Sequence, residues 1–259
     1  RWNLERIIGK NKKFFIDGKE IGENPYIIAE IGFNHGGNLE LAIEMMRSAA
    51  KCGVDAVKFQ TYRASDISLK SSPHYGSVES GELNYEQHQK LFLAAKSLGV
   101  TFLSTPFSVE AVDLLEKIGV TAYKVASMDL TNLDLLQYIG EKQKPVILST
   151  GMSTLDEIDE AYHTILKTGN TNVALLHCMS QYPTNNGDAN LAMMLALKEK
   201  YRIPVGYSDH TLGTIVPLMS ITMGAHIVEK HFTTDKELNG PDHKISADPL
   251  EMKQIVEGA

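Results

Sequence analysis

Eight short apolar runs, each followed by polar or glycine-rich residues and then by a helical pattern, recur along this chain, and that alternation constrains its fold more than any other feature. The runs are Tyr26 to Gly32, Ala56 to Tyr62, Thr101 to Phe107, Ala122 to Ser127, Pro145 to Gly151, Val173 to Cys178, Pro204 to His210 and His226 to Phe232. Their starts advance from residue 26 to residue 226, an average step of about 29 residues, against the ~30 that one strand–helix–strand unit needs. Eight such units predict an α/β chain folded as a (β/α)8 TIM barrel, not an open doubly wound sheet.

The segments between the runs agree with that reading. Leu155, Ile158, Tyr162, Ile165 and Leu166 share one helical face, and Thr154 with Glu157 forms a capping-box pattern at its start. Leu39 to Lys51 and Tyr85 to Leu98 show similar periodicity and end at Gly53 and Gly99, residues able to take a left-handed cap. Residues 14–21 predict a short N-terminal β-hairpin turned at Asp17-Gly18, placed to plug the N-terminal mouth of the barrel. The expected division is residues 1–25 as N-terminal extension and hairpin, and 26–259 as the barrel. The longest strand-to-helix connection, Arg63 to Asn84, is polar and is a candidate active-site loop.

Composition narrows the function classes. Lys and Arg total 25 against 32 Asp and Glu, a net charge of −7 with no basic run, which argues against a nucleic-acid partner. Two cysteines, Cys52 and Cys178, make no disulfide framework and point to a reducing compartment. No apolar run approaches the ~18 residues of a membrane span, and Arg1 to Lys13 lacks a signal-peptide core. A cytoplasmic protein with no membrane partner is expected.

In a TIM barrel, chemistry sits where the strands end, and the ends of these runs are rich in polar residues. They carry Glu30 with Asn34 and His35, Lys58 and Gln60, Ser104 and Thr105, Lys124 and Ser127, Ser149 and Thr150, His177 with Ser180 and Tyr182, Ser208 to His210, and Glu229 with His231. Lys58 and Lys124 among the hydroxyls of Ser104, Thr105, Ser127 and Ser149 suit a small anionic substrate bearing phosphate or carboxylate. His210 and His231 end adjacent strands and can converge on one exchangeable divalent metal, or each can be a hydrogen-bonded structural residue. Glu30 and Glu229 are the carboxylates placed to move protons or orient water, although Glu30 can equally serve as an ion-pair partner for Lys58. His177, Cys178 and the pairs Met45-Met46 and Met193-Met194 read as core.

These strand-end motifs resemble the sialic acid synthases and their relatives that make legionaminic and pseudaminic acids. The resemblance is carried by Ile28-Ala-Glu-Ile-Gly-Phe-Asn-His35, Val57-Lys-Phe-Gln60, Ser104-Thr-Pro-Phe107, Tyr123-Lys-Val-Ala-Ser127 and Leu148-Ser-Thr-Gly-Met152. It continues through Leu176-His-Cys178, Tyr182-Pro-Thr184, Tyr207-Ser-Asp-His-Thr211, Glu229-Lys-His-Phe232 and Gly240-Pro-Asp-His-Lys244. The resemblance implies condensation of phosphoenolpyruvate with an amino sugar such as N-acetylmannosamine. It implies phosphoenolpyruvate contacts at Lys58, Thr105, Lys124, Ser127, Ser149, Ser180 and Tyr182, and acceptor contacts at Gln60, Asp129 and Asp242. His210 and His231 match metal ligands, for Mn2+ or alternatively Mg2+ or Co2+, and Glu30 and Glu229 match acids near the reacting centre.

The family commonly reads Ser-Gly-Glu where this chain has Ser127-Met128-Asp129, which shortens an acidic contact to the sugar. It also implies a homodimer in which an antifreeze-like domain covers the partner's site; the sequence ends in the last barrel helix, so a truncated or separately encoded barrel is the expectation. Two other functions fit the same residues: a Schiff-base aldolase using a barrel lysine, and a catalytically silent sugar-binding barrel.

Overall fold

A computed structural model describes residues 13–22 and 24–259; residues 1–12 of the expected N-terminal extension lie outside the described residues. The hairpin forms as expected, β1 (Phe14–Ile16) pairing with β2 (Lys19–Ile21), and Asp17 and Gly18 both take positive φ at the turn. Each of the eight apolar runs holds one parallel strand: β3 (Tyr26–Glu30), β4 (Ala56–Thr61), β5 (Thr101–Pro106), β6 (Tyr123–Val125), β7 (Val146–Ser149), β8 (Val173–Cys178), β9 (Val205–Asp209) and β10 (Ile227–His231). The strands are hydrogen-bonded in the order β5-β4-β3-β10-β9-β8-β7-β6, and helices alternate with them along the chain. This is a TIM barrel. No helix among the described residues is long and apolar enough to cross a membrane.

Alternation along each strand sorts the residues into two apolar layers. Ile28, Ala56, Leu103, Ala122, Ile147, Ala174, Leu176 and Ile227 cluster inside the barrel with Phe14, Ile16 and Ile21 of the hairpin, which therefore closes its N-terminal end. Their strand neighbours, such as Ile27, Val57, Phe102, Val125, Leu148, Leu175 and Val228, pack outward against the helices. Counting in twos from the inner cluster toward the C-terminal ends leads to Glu30, Lys58, Thr105, Lys124, Ser149, Cys178 and Glu229. The fold delivers these side chains to one mouth.

The helices form where capping and periodicity place them. In α1 (Leu39–Cys52) and α4 (Tyr85–Leu98) the chain leaves through Gly53 and Gly99 at φ 90° and 73°. In α7 (Leu155–Lys167), Thr154 and Glu157 make the reciprocal capping box, while Ile158, Ala161, Tyr162 and Ile165 are buried. Leu155 is 45% exposed, because as the first helical residue it extends past the edge of the core. Met45, Met46 and Met194 are core filling. The Arg63 to Asn84 connection contains two short helices, α2 (Ala64–Ile67) and α3 (Tyr75–Ser80), and the Tyr62 hydroxyl donates to the Val78 carbonyl at 3.0 Å.

One seam departs from the even barrel that the regular spacing suggests. The run Ala122 to Ser127 contributes only three paired residues, and no ladder joins β6 to β5. Helix α5 (Val109–Ile118), which follows β5, spans the gap instead: its Glu116 carboxylate accepts from the Tyr123 hydroxyl on β6 and from Lys144 ahead of β7. Burial pushes the Glu116 carboxyl up, but hydrogen bonds from Lys144 and Tyr123 outweigh it and hold the group below the ordinary range. A depressed carboxyl stabilises the fold above its unfolded pKa and loses that contribution as pH falls through the folded value. Glu116→Gln is therefore expected to lower the denaturation midpoint at neutral pH, with the gap to the parent protein closing below about pH 4. An equal gap at both pH values in urea titrations would contradict it.

Candidate active site

The C-terminal mouth holds a cleft of about 470 Å3 whose floor is made by inward-facing strand ends. Register brings the charged groups together, since Glu30 on β3 pairs with Lys58 on β4 and with His231 on β10, while Glu229 on β10 pairs with Ser208 on β9. The result is an alternating chain of buried charges. Glu30 Oε2 lies 2.8 Å from Lys58 Nζ, Lys58 lies 3.7 Å from Glu229, and Glu229 lies 3.6 Å from Lys124. Around it, Gln60 Nε2 donates to Glu30 at 3.1 Å, Lys58 donates to Thr105 Oγ1 at 3.2 Å, and Ser208 Oγ donates to Glu229 at 2.9 Å.

The four groups do not share one electrostatic state. Burial pushes the Glu30 carboxyl up, and Lys58 offsets that only in part. Burial acts on Glu229 in the same direction, but Lys124 and Lys58 on either side hold its carboxyl below the usual range. Lys58 is raised because Glu229 and Glu30 outweigh its desolvation, whereas burial lowers Lys124 despite Glu229. Two neighbouring carboxyls driven apart in this way supply one proton-exchanging group and one fixed anion.

Beside Lys124 the chain builds a cradle of hydroxyls. The Gly151 N–H donates to Ser127 Oγ at 2.9 Å, and the buried Ser149 hydroxyl has no partner within the protein. A Cβ on Gly151 would stand 2.5 Å from Ser180 Oγ and 2.8 Å from Ser127 Oγ, so glycine keeps this space open. A cation, unspent hydroxyls and room for a few atoms suit an oxyanion.

His210 and His231 also converge, with ring centroids 5.5 Å apart. His210 Nδ1 donates to the Met179 carbonyl at 2.8 Å, which leaves Nε2 as its free lone pair. His231 Nδ1 is buried without a hydrogen-bond partner, 3.8 Å from an Asp242 oxygen. Burial lowers the pKa of both imidazoles and thus favours the neutral form that binds metal, and it raises Asp242 to about 6. Among the described residues no group of three or more His, Cys, Asp and Glu side chains is arranged around a metal position. The donor set fits an exchangeable divalent ion that takes its remaining ligands from water and substrate.

Thirteen of the candidate residues line this cleft: Glu30, Lys58, Gln60, Thr105, Lys124, Ser127, Ser149, Ser180, Tyr182, His210, Glu229, His231 and Asp242. Asp129 does not. Its side chain is buried beside Asn132, and Met128 forms the wall instead. Ser104 is also absent from the anion ring, because it faces the helix layer and hydrogen-bonds Thr61 at 2.7 Å. Asn34 turns away to the Phe232 carbonyl and Ser246, and His177 is a core histidine bonded to the Ala189 carbonyl. Sequence reasoning left two polar lining residues, Ser208 and Cys178, without a role in the site. Ser208 holds Glu229, and Cys178 places its sulfur 3.8 Å from His210 Nδ1; the signal for both is their shared inward parity with Leu176 and His210. Phe33, Ile67, Met128 and Met152 make an apolar rim above the polar floor, and Tyr182, 55% exposed, lays its ring 4.1 Å from that of His210.

Residues 45–259 match the NeuB family. This chain belongs to that family. It is 43% identical over 250 residues to N,N'-diacetyllegionaminic acid synthase of Legionella pneumophila, an alignment covering 90% of this chain and 70% of that protein. Pseudaminic acid synthase of Campylobacter jejuni is 35% identical over 246 residues, covering 90% and 72%. The crystal structure of N-acetylneuraminic acid synthetase from Leptospira borgpetersenii, in complex with citrate, superposes with a TM-score of 0.93 at 37% identity, covering 95% of this chain and 87% of that one. The NeuB chain described here is accordingly an enzyme, a synthase of the phosphoenolpyruvate-using sugar-acid type.

The cradle makes one prediction. Gly151→Ala is expected to weaken phosphate and phosphoenolpyruvate binding strongly, since its Cβ enters the space between Ser127 and Ser180. Calorimetry showing parental affinity in a folded Gly151→Ala protein would remove the cradle from the site.

Proposed function

We propose that this NeuB-family chain condenses phosphoenolpyruvate with an N-acetylated amino sugar such as N-acetylmannosamine, releasing phosphate and forming a nonulosonic acid. The observation that carries the reading is the buried Glu30–Lys58–Glu229–Lys124 chain lying beside an open hydroxyl cradle. Lys124, Ser127, Ser149 and Ser180 receive phosphate, while Lys58, Thr105 and Tyr182 complete the hold on phosphoenolpyruvate. Gln60 and Asp242 face the acceptor. The working form is a homodimer in the cytoplasm.

A divalent ion, Mn2+ or alternatively Mg2+ or Co2+, would be held by His210 and His231 and would polarise the acceptor aldehyde as a Lewis acid. The chain's own residues do the rest. Fixing phosphoenolpyruvate by both anionic ends points its C3 at the aldehyde carbon, where the new carbon–carbon bond forms. Glu229, held ionised, balances the positive charge that develops at C2. Glu30 takes a proton from the water that adds at C2, and the tetrahedral adduct then loses phosphate by C–O cleavage. The added water supplies the oxygen left on C2. The proton taken by Glu30 passes to the former aldehyde oxygen, which the new carbon–carbon bond leaves as an alkoxide. The second water proton leaves with the phosphate, so atoms and protons balance.

One observation favours a second reading: burial lowers the Lys124 pKa, which is what a Schiff-base aldolase requires of its lysine. Borohydride treatment with pyruvate decides between them, and no covalent adduct at Lys124 is expected. Phosphate release measured over a panel of N-acetylated amino sugars with Mn2+ tests the main reading directly. Release that depends on one acceptor is expected, and silence across the panel with bound phosphoenolpyruvate would leave only a sugar-binding barrel. Lys124→Met is expected to weaken phosphoenolpyruvate by roughly tenfold to a hundredfold, the equivalent of a lost charged hydrogen bond of ~1.5 to 3 kcal/mol, while sparing the acceptor. Equal losses for both substrates would contradict the assignment.

A further inference from the structure

A second buried ion pair stands back to back with the cleft. Asp209 and Lys230 are register partners on β9 and β10, but by strand alternation they point outward, Asp209 between Ser208 and His210 and Lys230 between Glu229 and His231. Lys230 Nζ lies 2.6 Å from Asp209 Oδ2 and donates to the Thr211 carbonyl at 2.7 Å. Asp209 also accepts from the Thr211 N–H at 3.1 Å and from its hydroxyl at 2.9 and 3.1 Å. Lys230 and Asp209 are each 1% exposed and Thr211 is 0% exposed, and none of the three lines the cleft. The clamped segment is the one that carries His210, whose carbonyl accepts from the Thr184 N–H at 2.9 Å just beyond Tyr182.

Charges buried in an apolar layer lose hydration that their mutual attraction only partly returns, and a hydrophobic pair of similar volume often holds such a layer as well or better. Directed bonds fix register and side-chain direction, which greasy packing does not. We propose that Lys230, Asp209 and Thr211 form a positioning clamp that sets the separation and orientation of the His210 and His231 imidazoles from behind the barrel wall. The proposal takes its metal from the two-histidine reading above, but its geometry can be tested without one.

The test pairs Asp209→Leu with Lys230→Met, so that no charge is left alone, and adds Thr211→Val as a milder variant that keeps the ion pair. Mn2+ affinity is read by electron paramagnetic resonance, and imidazole tautomers by 15N shifts in the metal-free protein. The double variant is expected to keep its thermal midpoint and phosphoenolpyruvate affinity while losing about tenfold or more in Mn2+ affinity, as outer-sphere changes around ligand histidines do. His210 is expected to lose its single Nδ1–H tautomer, and Thr211→Val to move both readouts less in the same direction. A folded double variant with parental Mn2+ affinity and an unchanged imidazole spectrum overturns the clamp. If the double variant does not fold, parental values in Thr211→Val overturn it equally. A parent protein that takes no Mn2+ removes the metal reading alone, and the imidazole spectra then decide the clamp.

Discussion

Everything at the mouth of this barrel depends on the two-residue alternation of its strands. Within β10, Ile227, Glu229 and His231 face the axis while Val228 and Lys230 face the helices, and a register slip of one residue would exchange a carboxylate of the cleft for a lysine. Parity is fixed from below, where the hairpin's Phe14, Ile16 and Ile21 interlock with the lowest inward side chains. Apolar packing at one end thus determines which polar groups meet at the other.

That meeting is electrostatically expensive, and the arrangement of signs makes it tolerable. Two carboxylates and two lysines alternate, so each charge has an opposite neighbour within 4 Å and no like pair is adjacent in the chain. Glu229 has a lysine on each side and a serine hydrogen bond, whereas Glu30 has one lysine and an amide. The opposite shifts of the two carboxyls follow from that count of partners. A bound anion would alter the balance again by sharing the lysines.

Strand number, spacing and the hairpin were legible in the sequence because each rests on a local signal: period, length and a turn dipeptide. Most of the cleft was legible too, since polar residues closing apolar runs collect at one rim. Parity inside a run with consecutive polar residues was not. Ser104 and Thr105 look equivalent as letters, yet Leu103 fixes Thr105 as the inward one. Asp129 fails for a related reason, because the 3-10 turn at Ser127–Asp129 carries its side chain away from the wall and presents Met128. The shortness of β6 left no mark either, as its run is as apolar as its neighbours.

The seam between β5 and β6 makes this cylinder a rolled strip. Its two edges are consecutive in the chain, and directly opposite them lies the ladder between β9 and β10. The histidine pair stands on that far side, just after β9 and on β10, while Lys124, Ser127 and Ser149 stand toward the open edge, on and just after β6 and β7. Widening at the edge would therefore enlarge the cleft beside Lys124 and the serine cradle with little movement of the imidazoles. Such a geometry would let a ligand in the cradle leave sideways while the histidine end keeps its shape.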